Sequence, residues 1–403
     1  MDALDILTDL ENVIPYFQPI FSADEQRVIA YEVLGRYRSE GNIISLGNFF
    51  LDDQIPEEYK YEVDQLLVQK ALELSFELED DVSIFLNRDA DLLMYRHGEP
   101  FLQELLAFEK RGLNLKRIVL EISEGKYKGD FSQLDHLLQY YRTYGIKVAI
   151  ASMDSDTNFL ERISQLNPEI IKINLGALKS NATSVNYTDV LFSLSLLARK
   201  IGATLLFENI EMSFQLQFAW KNGGRYYQGF YLHPPAAAFI DRELQKDRLK
   251  EKFHDFIAYE KRKLVAIYTA AEYFQTKVQD ILGKNKKANY EELFVSLVKE
   301  MDQIAFRMYV CDEDGFQKSS NIFKGESGWY TQKEYIQKNW SWRPYFLENI
   351  FKMRNEGKGI LSDLYSDIET GETIRTFSIP INGNDYLFID IANQYLFEND
   401  QLL

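Results

Sequence analysis

The chain has 403 residues, enough for two domains, and 46% of them are apolar, so a sizeable core can form. Its formal net charge of −17 excludes a general nucleic-acid polymer surface or an anionic-membrane surface, because each needs a basic face. A single cysteine, Cys311, excludes an intrachain disulfide framework and reads as a buried strand residue, since no histidine lies near it in sequence.

Through about residue 235, strand-like runs alternate with helix-period segments. Strands are predicted at 28–31, 82–86, 117–120, 147–151, 170–173, 204–207 and 226–228, with helices at 62–78, 99–111, 131–144 and 187–201. Alternation predicts parallel pairing, because a parallel connection needs a crossover of a dozen or more residues. About seven or eight such units match the length of a closed α/β barrel of the (β/α)8 type. An open doubly wound sheet is the runner-up, weakened because no Gly-rich phosphate loop follows the first strand. The most apolar stretch, 190–207, is interrupted by Arg199 and Lys200, and the acidic start Met1-Asp2-Ala3-Leu4-Asp5 lacks a signal pattern. A cytoplasmic protein without membrane insertion is therefore expected.

After Pro234-Pro235 the pattern changes. Residues 239–282 hold neither proline nor glycine, and Leu249, Phe253, Phe256, Leu264, Ile267, Ala271, Phe274, Val278 and Ile281 recur mostly in steps of three and four. One long connecting helix of about 60 Å is predicted, stopped by Gly283-Lys284-Asn285 and suited to a homodimer seam. The remainder reads as a small α+β module, with a helix at 290–304, strands at 306–311, 374–381 and 386–391, and turns at Asp312-Glu313-Asp314-Gly315 and Asn382-Gly383-Asn384. The expected domains are 1–238, 239–285 and 286–403.

The strand-like runs of the first part end in residues that handle phosphate and metal: Glu32, Asn87, Glu121, Lys172, Glu208 and Gln228. In a barrel, strand ends meet at one mouth. Polar strand ends as such are ordinary, because loops are wet, but that does not account for acids, an amide and a lysine recurring at one phase. Carboxylates with an amide oxygen suit a hard divalent cation. Arg36, four residues after Glu32, suits bidentate phosphate binding, and a strand-end lysine neutralises a non-bridging oxygen or orients water. Such a group serves metal-assisted phosphodiester hydrolysis. The histidines His97, His136, His233 and His254 do not cluster, so a histidine metal site is not expected.

At these residues the chain resembles the EAL family, the cyclic di-GMP phosphodiesterases named for a Glu-Ala-Leu motif. Here the motif stands as Glu32-Val33-Leu34-Gly35-Arg36, preceded by Gln18-Pro19-Ile20 and followed in family order by Asn87, Glu121 with Glu124, Lys172-Ile173-Asn174, Glu208 with Glu211, and Gln228-Gly229. The resemblance implies a TIM-like barrel and cyclic di-GMP as ligand, met by Gln18, Glu32, Leu34, Arg36, Lys172, Glu211 and Gln228. It also implies metal ligation by Glu32, Asn87 and Glu121, and Glu208 with Lys172 as the catalytic pair. Glu124 and Glu211 also read as acids that orient loops, a reading of equal weight for Glu211.

The departures from the family pattern bear on mechanism. Where the family carries paired aspartates this chain has Ala151-Ser152, and where it carries a third it has Asn174. Asp154 lies two positions beyond Ser152, roughly 7 Å along an extended chain, too far to replace a metal ligand placed to tenths of an ångström. The expectation is a cyclic di-GMP-binding signalling protein with a degenerate site, holding at most one divalent cation (Mg, Mn or Ca). Two alternatives remain: a slow phosphodiesterase using one ion and Glu208, or a sensor or scaffold acting through the C-terminal module on an unknown downstream protein. Within that module, segments around Trp340 and around Ser362 resemble PAS-like or Cache sensor modules, which implies a pocket built from Arg343, Tyr345 and Asp367. The plainer reading has the aromatic residues filling a small core and Arg343 pairing with an acid.

Overall fold

The computed structural model describes residues 3–39, 41–123, 127, 129–152, 159–176, 178, 185–343 and 346–403. Two compact units divide the chain, Met1–His254 and Asp255–Leu403. None of the described helices is long and apolar enough to cross a membrane.

The first unit is a closed eight-stranded barrel. Its strands are β1 (Val13–Ser22), β2 (Val28–Ser39), β4 (Ser83–Asp89), β5 (Ile118–Ser123), β6 (Lys147–Ser152), β7 (Ile170–Asn174), β8 (Thr204–Glu208) and β9 (Tyr226–Tyr227), with the short β3 (Asn42–Ser45) added outside β2. From β2 through β9 every neighbouring pair in the ring is parallel. Strand β1 runs antiparallel to both β2 and β9 and closes the ring.

Strand β1 is the main departure from the sequence expectation, which placed no strand before residue 28. Only Ala23 to Arg27 separate β1 from β2, too few for a crossover, so the pair forms a hairpin. Pro15 and Pro19 disguise the strand in the sequence. The Phe17 N–H donates outward to Ala236 O at 2.7 Å, and Pro15 and Pro19 share that outward phase by the two-residue period of a strand. Their missing N–H groups therefore cost the β1–β2 ladder nothing.

The barrel core is a layer of inward residues, one or more from each strand: Ile20, Ala30, Phe85, Val119, Ala149, Ile170 and Leu206, with Tyr226 packed against them. Outside, helices such as Glu57–Leu74, Glu99–Glu109 and Phe131–Arg142 cover the ring. The long helix begins at Lys246, not at 239, and runs 39 residues to Lys284. The residues before it are held by the barrel instead. Phe239 packs on the rings of Phe17 and Tyr31 at 4.3 and 4.9 Å, while Arg242 donates to Val28 O at 3.0 Å and pairs with Glu79 and Asp81. Leu249 and Phe253, on the helix's first turns, are buried.

The second unit is an antiparallel sheet in the order β12-β11-β10-β16-β15-β13, with β14 also pairing β15. Its strands are β10 (Ala305–Asp312), β11 (Asn321–Gly325), β12 (Gly328–Gln332), β13 (Ile360–Leu361), β14 (Tyr365–Ser366), β15 (Thr373–Pro380) and β16 (Asp385–Ile391). One sheet face is apolar: Met308, Val310, Phe377, Ile379, Leu387, Ile389 and Ile391 pack on Phe274, Val278 and Ile281 of the long helix and on Leu293, Phe294 and Leu297 of the helix Tyr290–Met301. The other face carries Arg307, Tyr309, Cys311, Thr376, Ser378, Tyr386, Phe388 and Asp390, of which Tyr309, Cys311, Tyr386 and Phe388 cluster with Phe346, Ile350 and Met353 of the helix Phe346–Glu356. Cys311 is fully buried, and burial pushes its thiol well above the ordinary range, as a structural residue requires.

A buried cluster behind β4 sets a pH dependence. Arg88 and Asp64 form an ion pair, and Arg88 lies over the Phe101 ring at 4.0 Å. Glu104 sits beside them with its Oε1 buried and without a hydrogen bond. Burial lifts its carboxyl to about 7, against the pull of Arg88 and a hydrogen bond with Gln69. A raised folded-state pKa costs nothing below the unfolded value and destabilises as pH climbs to the folded one. Glu104→Gln is expected to match the wild type at pH 4 and to exceed its stability by about 1–2 kcal/mol at pH 8, read by urea denaturation at both values.

Candidate functional site

Moving from the apolar barrel layer toward the mouth by one strand period, the same inward face carries Gln18 on β1, Glu32 on β2, Asn87 on β4, Glu121 on β5, Ala151 on β6, Lys172 on β7 and Glu208 on β8, with Gln228 just past β9. Each stands two positions from a member of the apolar layer. Seven of the eight are polar, and Ala151 is the exception.

Lys172 Nζ is the centre of this layer. It lies 3.0 Å from Glu32 Oε2, 2.6 Å from Glu121 Oε2 and 3.1 Å from Glu208 Oε2, with its side chain only 1% exposed. Glu32 also accepts from Gln228 Nε2 at 2.5 Å and from Asn87 Nδ2 at 2.8 Å, while Gln18 Nε2 donates to His233 O at 2.5 Å. Burial opposes ionisation of Glu32, but the Lys172 charge and the hydrogen bonds from Asn87 and Gln228 outweigh it and hold the carboxyl below its usual range. For Glu121 burial wins: with Glu32 and Glu208 adding repulsion and Lys172 opposing, its carboxyl is pushed up to about 8. Burial works against the Lys172 ammonium too, and the three glutamates override it and raise its pKa. Near neutral pH, then, one of the buried carboxyls keeps a proton.

Nearer the mouth, Leu34 and Arg36 continue the inward phase of β2 and are half-buried. Arg36 Nη1 donates to Gly35 O at 2.9 Å and to Ser45 Oγ at 3.4 Å, and its guanidinium lies 5.6 Å from the Tyr16 ring centre. Glu208 has a 21% exposed side chain and Glu211 is exposed. Glu32, read from sequence as a strand-end residue, lies inside β2, which runs on to Ser39 because β1 and β3 pair with its far half. Asn174 Oδ1 accepts the Gly176 N–H at 2.7 Å, so this amide ties the turn after β7. Ser152 closes β6, with its side chain outside the described residues, as are Glu124, Asp154 and Tyr345. In the second unit Arg343 lies over the Trp340 ring at 4.5 Å, and buried Asp367 accepts from Arg307 Nη2 at 2.6 Å.

Two residues brace this site: Gln215, which sequence reasoning did not single out, and Gly229, which it quoted only within the motif Gln228-Gly229. Gln215 is fully buried; its Oε1 accepts the N–H groups of Glu211 and Met212 at 2.7 and 3.0 Å, and its Nε2 donates to Leu175 O at 2.9 Å. It therefore joins the loop after β8 to the loop after β7. Its sequence signal is the glutamine at the third position of the helix Ser213–Lys221, a capping-box position. Gly229, with φ of +152°, lies against the Ile210 backbone, where a Cβ would fall on its N and O atoms.

The EAL domain family matches residues 2–235, and a family described as an EAL-domain associated signalling protein domain matches residues 239–403. The chain belongs to the EAL family. The EAL-domain containing protein YkuI of Bacillus subtilis is 52% identical over 406 residues, covering 100% of both chains. Its crystal structure in complex with cyclic di-GMP and calcium superposes with a TM-score of 0.94 at 51% identity over 100% of both chains. The probable cyclic di-GMP phosphodiesterase PdeG of Escherichia coli is 24% identical, spanning 57% of this chain and 45% of its own. The FimX EAL domain of Pseudomonas aeruginosa, bound to cyclic di-GMP, shares the fold at TM-score 0.51 and 22% identity over 59% of this chain and 98% of its own.

EAL membership raises the question of a divalent cation. The donors of the polar layer are oxygens of the hard type, and Gln228 Oε1 is buried with no hydrogen-bond partner, an acceptor that a cation's hydration shell would satisfy. Against this, the glutamates are arranged about the Lys172 ammonium, Asn87 turns its Nδ2 toward Glu32, and among the described residues no three acids, histidines or cysteines are grouped to hold a metal ion. The set fits one cation after a turn of the Asn87 amide. At the β6 position of the same layer, Ala151 offers no oxygen.

The close approach at Gly229 gives a direct test of how the site is held. Gly229→Ala is expected to destabilise the barrel by more than about 3 kcal/mol, measured by urea denaturation, because Ile210 N and O already bond to Gln228 and Tyr231.

Proposed function

We propose that this EAL protein is a cyclic di-GMP receptor whose phosphodiesterase site is degenerate. The observation that carries the reading is the polar layer: seven of eight strand positions keep a polar residue, and the eighth, Ala151, lacks the carboxylate that two-metal hydrolysis would need. Support for the ligand comes from YkuI, which shares 52% of its residues with this chain over its full length and whose crystal structure holds cyclic di-GMP and calcium.

The residues divide the work by depth. Arg36 and Leu34 at the mouth, with Glu208 and Glu211, are the groups a dinucleotide meets first. Arg36 offers a guanidinium fork to a phosphate. Gln18, Glu32 and Gln228 lie one layer below and fix the floor. Lys172, expected from sequence to touch phosphate, is locked among three carboxylates, so it acts here as their counter-ion. One divalent cation would be held by Glu32, Asn87 and Glu121 and would supply charge for a phosphate oxygen. A slow single-ion phosphodiesterase with Glu208 as acid–base is the competing outcome.

Calorimetric titration with cyclic di-GMP, with and without Mg²⁺, Mn²⁺ or Ca²⁺, followed by assay for the linear dinucleotide, separates the readings. The expected result is binding with the ligand recovered intact. The triple variant Ala151→Asp, Ser152→Asp, Asn174→Asp is expected to gain Mg²⁺- or Mn²⁺-dependent turnover. Conversion by the unmodified chain would overturn the degenerate assignment. Arg36→Ala is expected to weaken binding by roughly 10- to 100-fold, the loss of a charge-assisted phosphate contact.

A further inference from the structure

Two buried amides of the polar layer are oriented by what their nitrogens bond. Gln18 Nε2 donates to His233 O and Gln228 Nε2 to Glu32 Oε2, both at 2.5 Å. Each keeps its Oε1 as an acceptor, and neither oxygen has a hydrogen-bond partner among the described residues. The turn 229–233 links the two, since Gln228 leads into it and His233 ends it. Within it the Leu232 and His233 N–H groups donate to Gly229 O, both at 3.0 Å, and the Tyr231 N–H donates to Ile210 O at 2.9 Å. The turn therefore decides where His233 O stands, and with it which end of the Gln18 amide is left for a ligand.

The turn is gripped from the start of the long helix. Gln245, whose O accepts the Leu249 N–H at 2.8 Å, donates its Nε2 to Leu232 O at 2.6 Å. Arg248 Nη1 donates to Tyr231 O at 3.0 Å and to Gln245 Oε1 at 3.5 Å, and its guanidinium lies over the Tyr231 ring at 4.2 Å. Helix formation explains neither choice. A capping side chain would accept from the helix's own free N–H groups, whereas Gln245 donates to another segment. A cation in the first turn faces the positive end of the helix dipole, which disfavours it. Both residues instead commit their donors to two carbonyls of the turn.

We propose that Gln245 and Arg248 are positioning residues of the ligand site, acting through the turn 229–233 to hold the Gln18 amide with its oxygen as acceptor. The links are few: helix start, two carbonyls, one turn, His233 O and Gln18. With the turn held, Gln18 stays bonded to His233 O and meets a ligand only as an acceptor. An acceptor suits a guanine N–H, a ribose hydroxyl or a metal-bound water. With the turn released, the amide rotates and sets its own N–H groups against those donors. All the residues involved lie in the first unit. The inference rests on the cyclic di-GMP reading for its ligand.

The test uses the full chain carrying Gln245→Glu and Arg248→Met together, which keeps both side-chain shapes and removes the donors. Glutamate suits a helix start, so folding is retained. In the ligand-free protein, hydrogen exchange read by mass spectrometry is expected to quicken by at least about tenfold at the Tyr231, Leu232 and His233 amides, with the barrel strands unchanged. Calorimetric titration with cyclic di-GMP and Ca²⁺ is expected to show binding weakened by about 5- to 20-fold, while Lys250→Ala, exposed on the same helix, binds as the wild type does. In a Gln18→Ala background the double substitution is expected to change affinity by less than about twofold, because its effect runs through Gln18. A merely structural loosening would weaken both backgrounds alike. The proposal is overturned if exchange in the turn is unchanged, if the double variant binds as the wild type does, or if its loss is equal with and without Gln18. A wild-type chain that binds no cyclic di-GMP overturns the ligand reading and this role together, whereas failure of the inference alone leaves wild-type binding intact.

Discussion

Three carboxylates, Glu32, Glu121 and Glu208, share the single ammonium of Lys172 in a space that water barely enters, and the geometry of the mouth follows from that sharing. An unpaired buried charge costs several kcal/mol, so each of the four groups holds the others in place. The proton kept by one of the buried carboxyls removes one further negative charge. A carboxylate at position 151 would restore it, and the layer would then need positive charge beyond one lysine. Ala151 and the inward lock of Lys172 are thus two sides of one electrostatic balance: this layer is close to neutral without a second metal.

The scaffold places that balance reproducibly. Apolar and polar inward residues follow one another at two-residue spacing, so a one-residue slip in β2, β5, β7 or β8 would turn a charged group outward and an apolar neighbour into the polar layer. Gln215 and Gly229 then fix the two loops that flank Glu208, one by hydrogen bonds to three backbone groups and the other by letting two backbones touch.

Much of this was legible in the sequence. The parallel strands, the polar residues that end them and the antiparallel hairpin at Asn382 all follow from local period and turn chemistry. What stayed hidden depended on pairing at a distance. Strand β1 carries two prolines, and only its outward phase, set by Ala236, makes them tolerable. The long helix looked as though it started at Phe239, because propensity cannot see that Phe239 and Arg242 are captured by the barrel. Lys172 reads as a phosphate ligand by type and position, but its approach to three glutamates depends on strands far apart in sequence and has no local signal.

The prolines of β1 also bear on how the chain is made. Strand β1 meets β2 early, but its other neighbour, β9, lies some 200 residues downstream, at Tyr226 and Tyr227. At about 5–20 residues per second, the nascent hairpin would wait on the order of ten seconds or more for its partner. During that wait its free edge is a template for pairing with a neighbouring chain on the same messenger. Pro15 and Pro19 remove two donors from that edge, leaving it unable to extend a continuous ladder with a stranger. The residues that made the strand hard to recognise are those that protect it during synthesis.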